Sequence, residues 1–204
     1  MMFTSLNAFL KTAGYIGLFG AAFAESGLLI GFLFPGDSLL FTAGFLSSQG
    51  FLSLPLLIIL TVSGAFLGDI AGYWFGKFVG PKLFHRKDSR LFHKDHLSRA
   101  QIFYARYGGK AIVLARFMPI VRTFAPILAG VGTMDYPTFL SYDALGALLW
   151  GAGLPLLGFF LGNAIPGIDA YLLPIILLII FLSLLPGIIH ILLEKKRRGQ
   201  KNTP

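Results

Sequence analysis

Arg116 and Arg122 stand six residues apart in the stretch 114–130, with Pro119 between them and Pro126 beyond. Everything around them is apolar or small. A guanidinium does not shed its proton, so each arginine needs an anion, water or carbonyl groups as partner. At membrane depth two arginines are costly unless they face a polar cavity. On an unbroken helix a spacing of six puts them about 120° apart. Pro119 breaks the hydrogen-bond ladder and bends the chain. A bent segment can aim both at one point, and the paired planar donors of guanidinium groups suit a phosphate there. Acidic residues set in apolar sequence include Glu25, Asp37, Asp69 and Asp143. Within a span each needs a partner.

The elements that must position these groups follow from composition. The chain has 204 residues, 55% hydrophobic and 13% charged, where soluble domains carry about 25% charged residues. Residues 38–68 and 144–168 hold no charge, and 170–193 hold none but His190. Runs of about 20 apolar residues span a bilayer. An all-α, polytopic membrane protein of one domain, 1–204, is expected. The absence of cysteine excludes disulfides and thiolate chemistry. The net charge of +8 does not point to nucleic acid, because the basic residues are grouped beside apolar spans, as in cytoplasmic membrane flanks.

Residues 12–48 are apolar but broken at Phe34-Pro35-Gly36-Asp37, a turn signal. Each flank is short for a crossing, so a re-entrant helical hairpin with its tip near Pro35 is expected. Ala22-Phe23-Ala24 resembles a signal cleavage site, but the segment is read as retained. Residues 52–80 read as a full span with glycines at 64, 68, 72 and 76 on one face, a packing pattern. Tyr73 and Trp74 suit an interfacial belt. The section from Lys77 to Lys110 holds nine Lys or Arg against two Asp. Within that section, residues 85–108 are expected to form an amphipathic helix lying on the cytoplasmic surface. His93 and His96 have no further ligands beside them, so no metal is expected. Residues 111–134 are too broken by Pro119 and Pro126 for a plain span and read as a second hairpin. Residues 136–162 and 170–193 read as spans, and 194–204 as a basic tail.

The basic section and the tail orient the chain with both on the cytoplasmic side. The single lysine among the first 24 residues leans towards the outside for Met1. The two hairpins then enter from opposite faces, and an inverted repeat is expected. Ala43-Gly44 matches Ala129-Gly130 at an offset of 86, and Asp69-x-x-Gly72 matches Asp143-x-x-Gly146 at 74. Paired broken segments in corresponding halves point to a midplane transport site.

The residues Glu25, Pro35-Gly36-Asp37, Ala43-Gly44, Gly68-Asp69-x-x-Gly72-Tyr73-x-x-Gly76-Lys77 and Ala115-Arg116-Phe117-x-Pro119-x-x-Arg122-x-x-x-Pro126-x-x-Ala129-Gly130 resemble the DedA family. That is the bacterial branch of the SNARE-associated, or VTT-domain, proteins. The resemblance covers roughly residues 25–162. It implies a multi-pass protein of the bacterial inner membrane with two opposed re-entrant hairpins. It implies translocation or scrambling of lipid, foremost undecaprenyl phosphate, dependent on the proton gradient, with the acidic and arginine pairs essential. Tyr142-Asp143 departs from the Tyr-Asn common in that family, and an aspartate can titrate where an asparagine cannot.

The leading expectation is therefore a carrier in which Arg116 and Arg122 bind the phosphate of a polyprenyl phosphate or phospholipid. Glu25 and Asp37 exchange protons, and Asp69, Asp143, Pro35, Pro119 and Pro126 support them. A passive scramblase and a proton-coupled ion transporter using the same acids stay open, as does a reading of the charges as ion pairs that only hold the hairpins together. A phosphatase needs a nucleophile or histidine constellation, and His85, His93 and His96 lie away from the arginine motif in sequence; neither an enzyme nor a cofactor is expected. The partners expected are lipid and protons, with a homo-oligomer open.

Overall fold

Three helices open with a proline in their first turn, where the missing N–H has no helical acceptor to lose. The computed structural model describes residues 2–28, 36–84, 106–132 and 134–164. They form α1 (Met2–Gly27), α2 (Gly36–Ser48), α3 (Leu54–Phe84), α4 (Lys110–Ala115), α5 (Pro119–Val131) and α6 (Tyr136–Ala164). Pro55, Pro119 and Pro137 are the opening prolines of α3, α5 and α6. Asp135 caps α6 by accepting from the Thr138 N–H at 3.0 Å. Hydrogen bonds from the Thr138 hydroxyl and amide hold its exposed carboxyl below the usual range. Among the described residues the fold is all helical. Pro35, residues 85–105 of the expected surface helix, and the expected last span and tail lie outside the described residues.

The expected span 52–80 is α3, and 136–162 is α6. The first hairpin differs from expectation. Its first arm starts at Met2, because no glycine or proline stands before Gly14 to stop it. Its 26 residues reach about 39 Å, long enough to cross, whereas α2, with 13 residues, is about 20 Å long. The expected bent segment is two helices, α4 and α5. Pro126 does not break α5 but sits inside it.

α1 packs on α3, α2 on α6, α5 on α3, and α4 on α6. Thus each first arm lies on the long helix of its own half, and each second arm crosses to the other half's. The glycine face of α3 makes this possible. A Cβ on Gly64 would stand 2.7 Å from Phe19 O and one on Gly68 2.5 Å from Phe23 O, both in α1, while Gly72 and Gly76 receive Pro126 and Ile127 of α5. The two exchanged crossings are built alike. Gly44 meets the carbonyl of Pro155 and Gly158 that of Phe41; Gly130 meets the carbonyl of Tyr73 and Gly76 that of Ile127. The offsets are 86 for the second arms, as expected, and 82 for the long helices. Gly76 therefore corresponds to Gly158, and the packing does not match Asp69 to Asp143.

Pro155 lies inside α6 and cannot donate to Gly151 O. Thr61 Oγ1 of α3 donates to that carbonyl instead, at 2.7 Å. In α3 and α6 the most apolar windows reach mean hydropathies of 2.0 and 1.9, yet only 33% of each is buried within the protein. Such faces, carrying Ile59, Leu67, Phe75, Leu148, Leu157 and Phe160 outwards, require an apolar surround.

Candidate functional site

The residue before a proline avoids the helical region. Met118 accordingly is extended, with φ −114° and ψ 105°, and separates α4 from α5. Arg116 caps the end of α4, and Arg122 falls in the opening turns of α5. The break turns both side chains inwards, to 3% and 7% exposure. Pro119 does this as the first residue of a new helix rather than as a kink within one.

Each arginine lies between two carboxylates from different elements. Arg116 Nη2 donates to Asp69 Oδ2 on α3 and, at 2.6 Å, to Asp143 Oδ1 on α6. Arg122 pairs through Nη2 with Glu25 Oε1, near the end of α1, and donates through Nη1 to Asp37 Oδ1, at the start of α2, at 2.7 Å. Glu25, Asp69 and Asp143 are buried; Asp37 keeps 20% of its side chain exposed. Four carboxylates thus face two guanidinium groups. Glu25 and Asp37 both belong to Arg122, and Asp69 and Asp143 are direct partners of Arg116.

Between the arginines lies a cavity of about 10 Å³, lined by Ser26, Asp69, Ile112, Arg116, Arg122, Ala125 and Pro126. That is the room of about one water. Both arginines border one space, as the break at Pro119 led one to expect, but it is too small for a phosphate while carboxylates hold the guanidinium groups.

Other contributors were not legible as such. Trp150 donates from Nε1 to Asp37 Oδ1 at 2.8 Å, and its ring lies under the Arg122 guanidinium at 4.9 Å. A tryptophan at mid-span, whose N–H needs a partner when buried, was the available signal. Gly36 leaves the space that the Glu25 carboxyl occupies, and a Cβ on Gly146 would stand 3.1 Å from Arg116 Nε. Tyr73 is not an interfacial residue. It is 1% exposed, stacks on Phe139 at 4.5 Å and donates to Met134 O at 2.6 Å. Trp74, its neighbour, lies under Lys77 at 4.9 Å.

Long helices with lipid-facing sides and a buried carboxylate–guanidinium network define a helical membrane protein with a charged centre. Residues 34–160 match the VTT domain. The protein DedA of Escherichia coli is 42% identical over 184 residues, covering 89% of this chain and 84% of that protein. The uncharacterized membrane protein Rv0364 of Mycobacterium tuberculosis is 40% identical over 206 residues, 100% of this chain and 89% of that one. The inner membrane protein YqjA of E. coli is 32% identical, covering 89% and 85%. No solved structure matches. The chain belongs to the VTT-domain, or DedA, family of membrane proteins.

Proposed function

We propose that the chain is a proton-coupled lipid carrier of the bacterial cytoplasmic membrane, moving undecaprenyl phosphate or a related phospholipid. The observation that carries this reading is the pair of buried arginines at a helix break, each held by two carboxylates. Guanidinium groups bind phosphate through paired donors. The carboxylates act as internal stand-ins for the cargo: protonated, they release the arginines to a phosphate, and ionised, they displace it. Glu25 and Asp37 do this at Arg122. Such groups can hold and release an anion but provide no activated nucleophile, so we read a carrier rather than an enzyme, working without a cofactor.

In this reading α1–α2 and α4–α5 are opposed re-entrant hairpins of an inverted repeat. The shortness of α2, α4 and α5 and the like crossings at Gly44/Gly158 and Gly130/Gly76 support it. The basic section and C-terminus are cytoplasmic.

The test is purified protein in liposomes, with labelled polyprenyl phosphate and labelled phospholipid followed in parallel. Gradient-dependent movement of the phosphate-headed lipid is expected; movement of neither refutes the reading. Equal movement of both at every pH identifies a passive scramblase. The water-sized cavity favours one competing reading, a proton-coupled ion transporter, whose mark is cation-dependent proton flux in vesicles without lipid cargo.

A further inference from the structure

We propose that Asp69, Arg116 and Asp143 form a proton-binding site of their own, separate from Glu25 and Asp37, in which the two aspartates share one proton. The assignment deepens the coupling part of the proposed function and rests on it only for what the proton does.

The charges do not balance without it. One guanidinium nitrogen, Arg116 Nη2, serves both carboxyls. Side-chain exposure is 4% for Arg116, 5% for Asp69 and 0% for Asp143. If both acids were ionised the cluster would carry a net negative charge inside the protein, and an uncompensated buried charge is strongly unfavourable. Among the described residues the surrounding elements provide no further cation. Arg122 on α5, across the cavity, is engaged by Glu25 of α1 and Asp37 of α2. Lys77 of α3 is exposed and sits over Trp74, and Lys110 opens α4 at the surface.

Two further observations point to a proton. Asp69 Oδ2 and Asp143 Oδ1 converge on the same nitrogen, Arg116 Nη2, which sets the two carboxyls side by side. Ionised carboxylates only accept, so two of them in contact need a proton between them. Asp143 Oδ2 is buried and has no hydrogen-bond partner among the described residues, so an ionised Asp143 would keep an unsatisfied oxygen away from water, which disfavours ionising both acids. Protonating the second acid as well frees Arg116 for an anion. Losing the shared proton clamps Arg116 between two negative charges. Each arginine is thereby gated by its own acidic pair.

The measurement is infrared spectroscopy of the full chain in liposomes without added lipid cargo, at neutral pH. A carboxylic-acid C=O band that shifts in D2O is expected. Asp143→Asn should remove this cluster's share of the band while the protein stays folded, because Asp69 then pairs one-to-one with Arg116 and ionises. Asp69→Asn should remove the same component by the reciprocal route, which keeps the test decisive if one variant fails to fold. Glu25→Gln should leave the component in place. An unchanged band in the folded aspartate variants, or no band in wild type, overturns the assignment. Either result leaves the lipid reading standing, whereas failed lipid transport with the band present overturns that reading alone.

Discussion

Gly36→Ala tests whether the Glu25–Arg122 pair organises the site. The added Cβ would occupy the space of the Glu25 carboxyl, so that carboxyl must leave Arg122. Glu25 is fully buried, and separating one partner from a buried ion pair costs about 3–5 kcal/mol. The better helix propensity of alanine returns about 1 kcal/mol at most. The net loss is about 2–4 kcal/mol, a large part of a stability of about 5–15 kcal/mol. Gly146→Ala is the matched control. Its Cβ meets Arg116 Nε at 3.1 Å, an overlap of a few tenths of an ångström costing about 1 kcal/mol. Helix propensity offsets about the same amount, so its net effect is close to zero. Both variants, wild type, and both glycine positions combined with Glu25→Gln would be unfolded by denaturing detergent from mixed micelles. In the Glu25→Gln background no charge is stranded, so Gly36→Ala should cost about 2 kcal/mol less than in wild type. A Gly36→Ala protein within about 0.5 kcal/mol of wild type, the ordinary spread of surface substitutions, would refute the argument. So would an equal cost in both backgrounds.

Arg122→Lys should weaken polyprenyl phosphate binding and transport by at least about tenfold, and more than Arg116→Lys. Arg122 uses two nitrogens on two carboxylates and Arg116 only one, and lysine lacks the fork; ligand titration of the detergent-solubilised protein checks the order. Trp150→Phe keeps a ring beneath Arg122 but removes the donor to Asp37 Oδ1, and should cost about 1.5–3 kcal/mol as a hydrogen bond to a charged group, measured in the same unfolding assay. Glu25→Gln and Asp37→Asn fix the neutral state, so at least one should abolish the response of lipid movement to a pH gradient while lipid binding persists. A gradient response like wild type in both would refute their coupling role. Pro119→Ala removes the constraint that keeps Met118 extended, and transport should fall while the protein stays folded; wild-type transport would show that the arginines do not need the break.

The class of the protein was legible from composition, since uncharged runs of span length have one economical solution in a bilayer. The helix break at Pro119 was legible because proline acts locally through its own backbone. The glycine face of α3 was legible because a spacing of four repeats on one side of a helix. Arg116, Arg122 and the four acids stood out because charge is costly in apolar sequence. Tertiary structure alone decided which acid meets which arginine. Glu25 and Asp37 could be placed near the arginines from sequence, but their joint assignment to Arg122, and that of Asp69 and Asp143 to Arg116, depends on how α1, α2, α3 and α6 meet the arginine-bearing α4 and α5. Inward and outward faces were equally hidden, as Tyr73 illustrates. In water, polarity marks the outer face of a helix. In lipid both faces are apolar, so the pattern that would have told a core tyrosine from an interfacial one is absent from the chain.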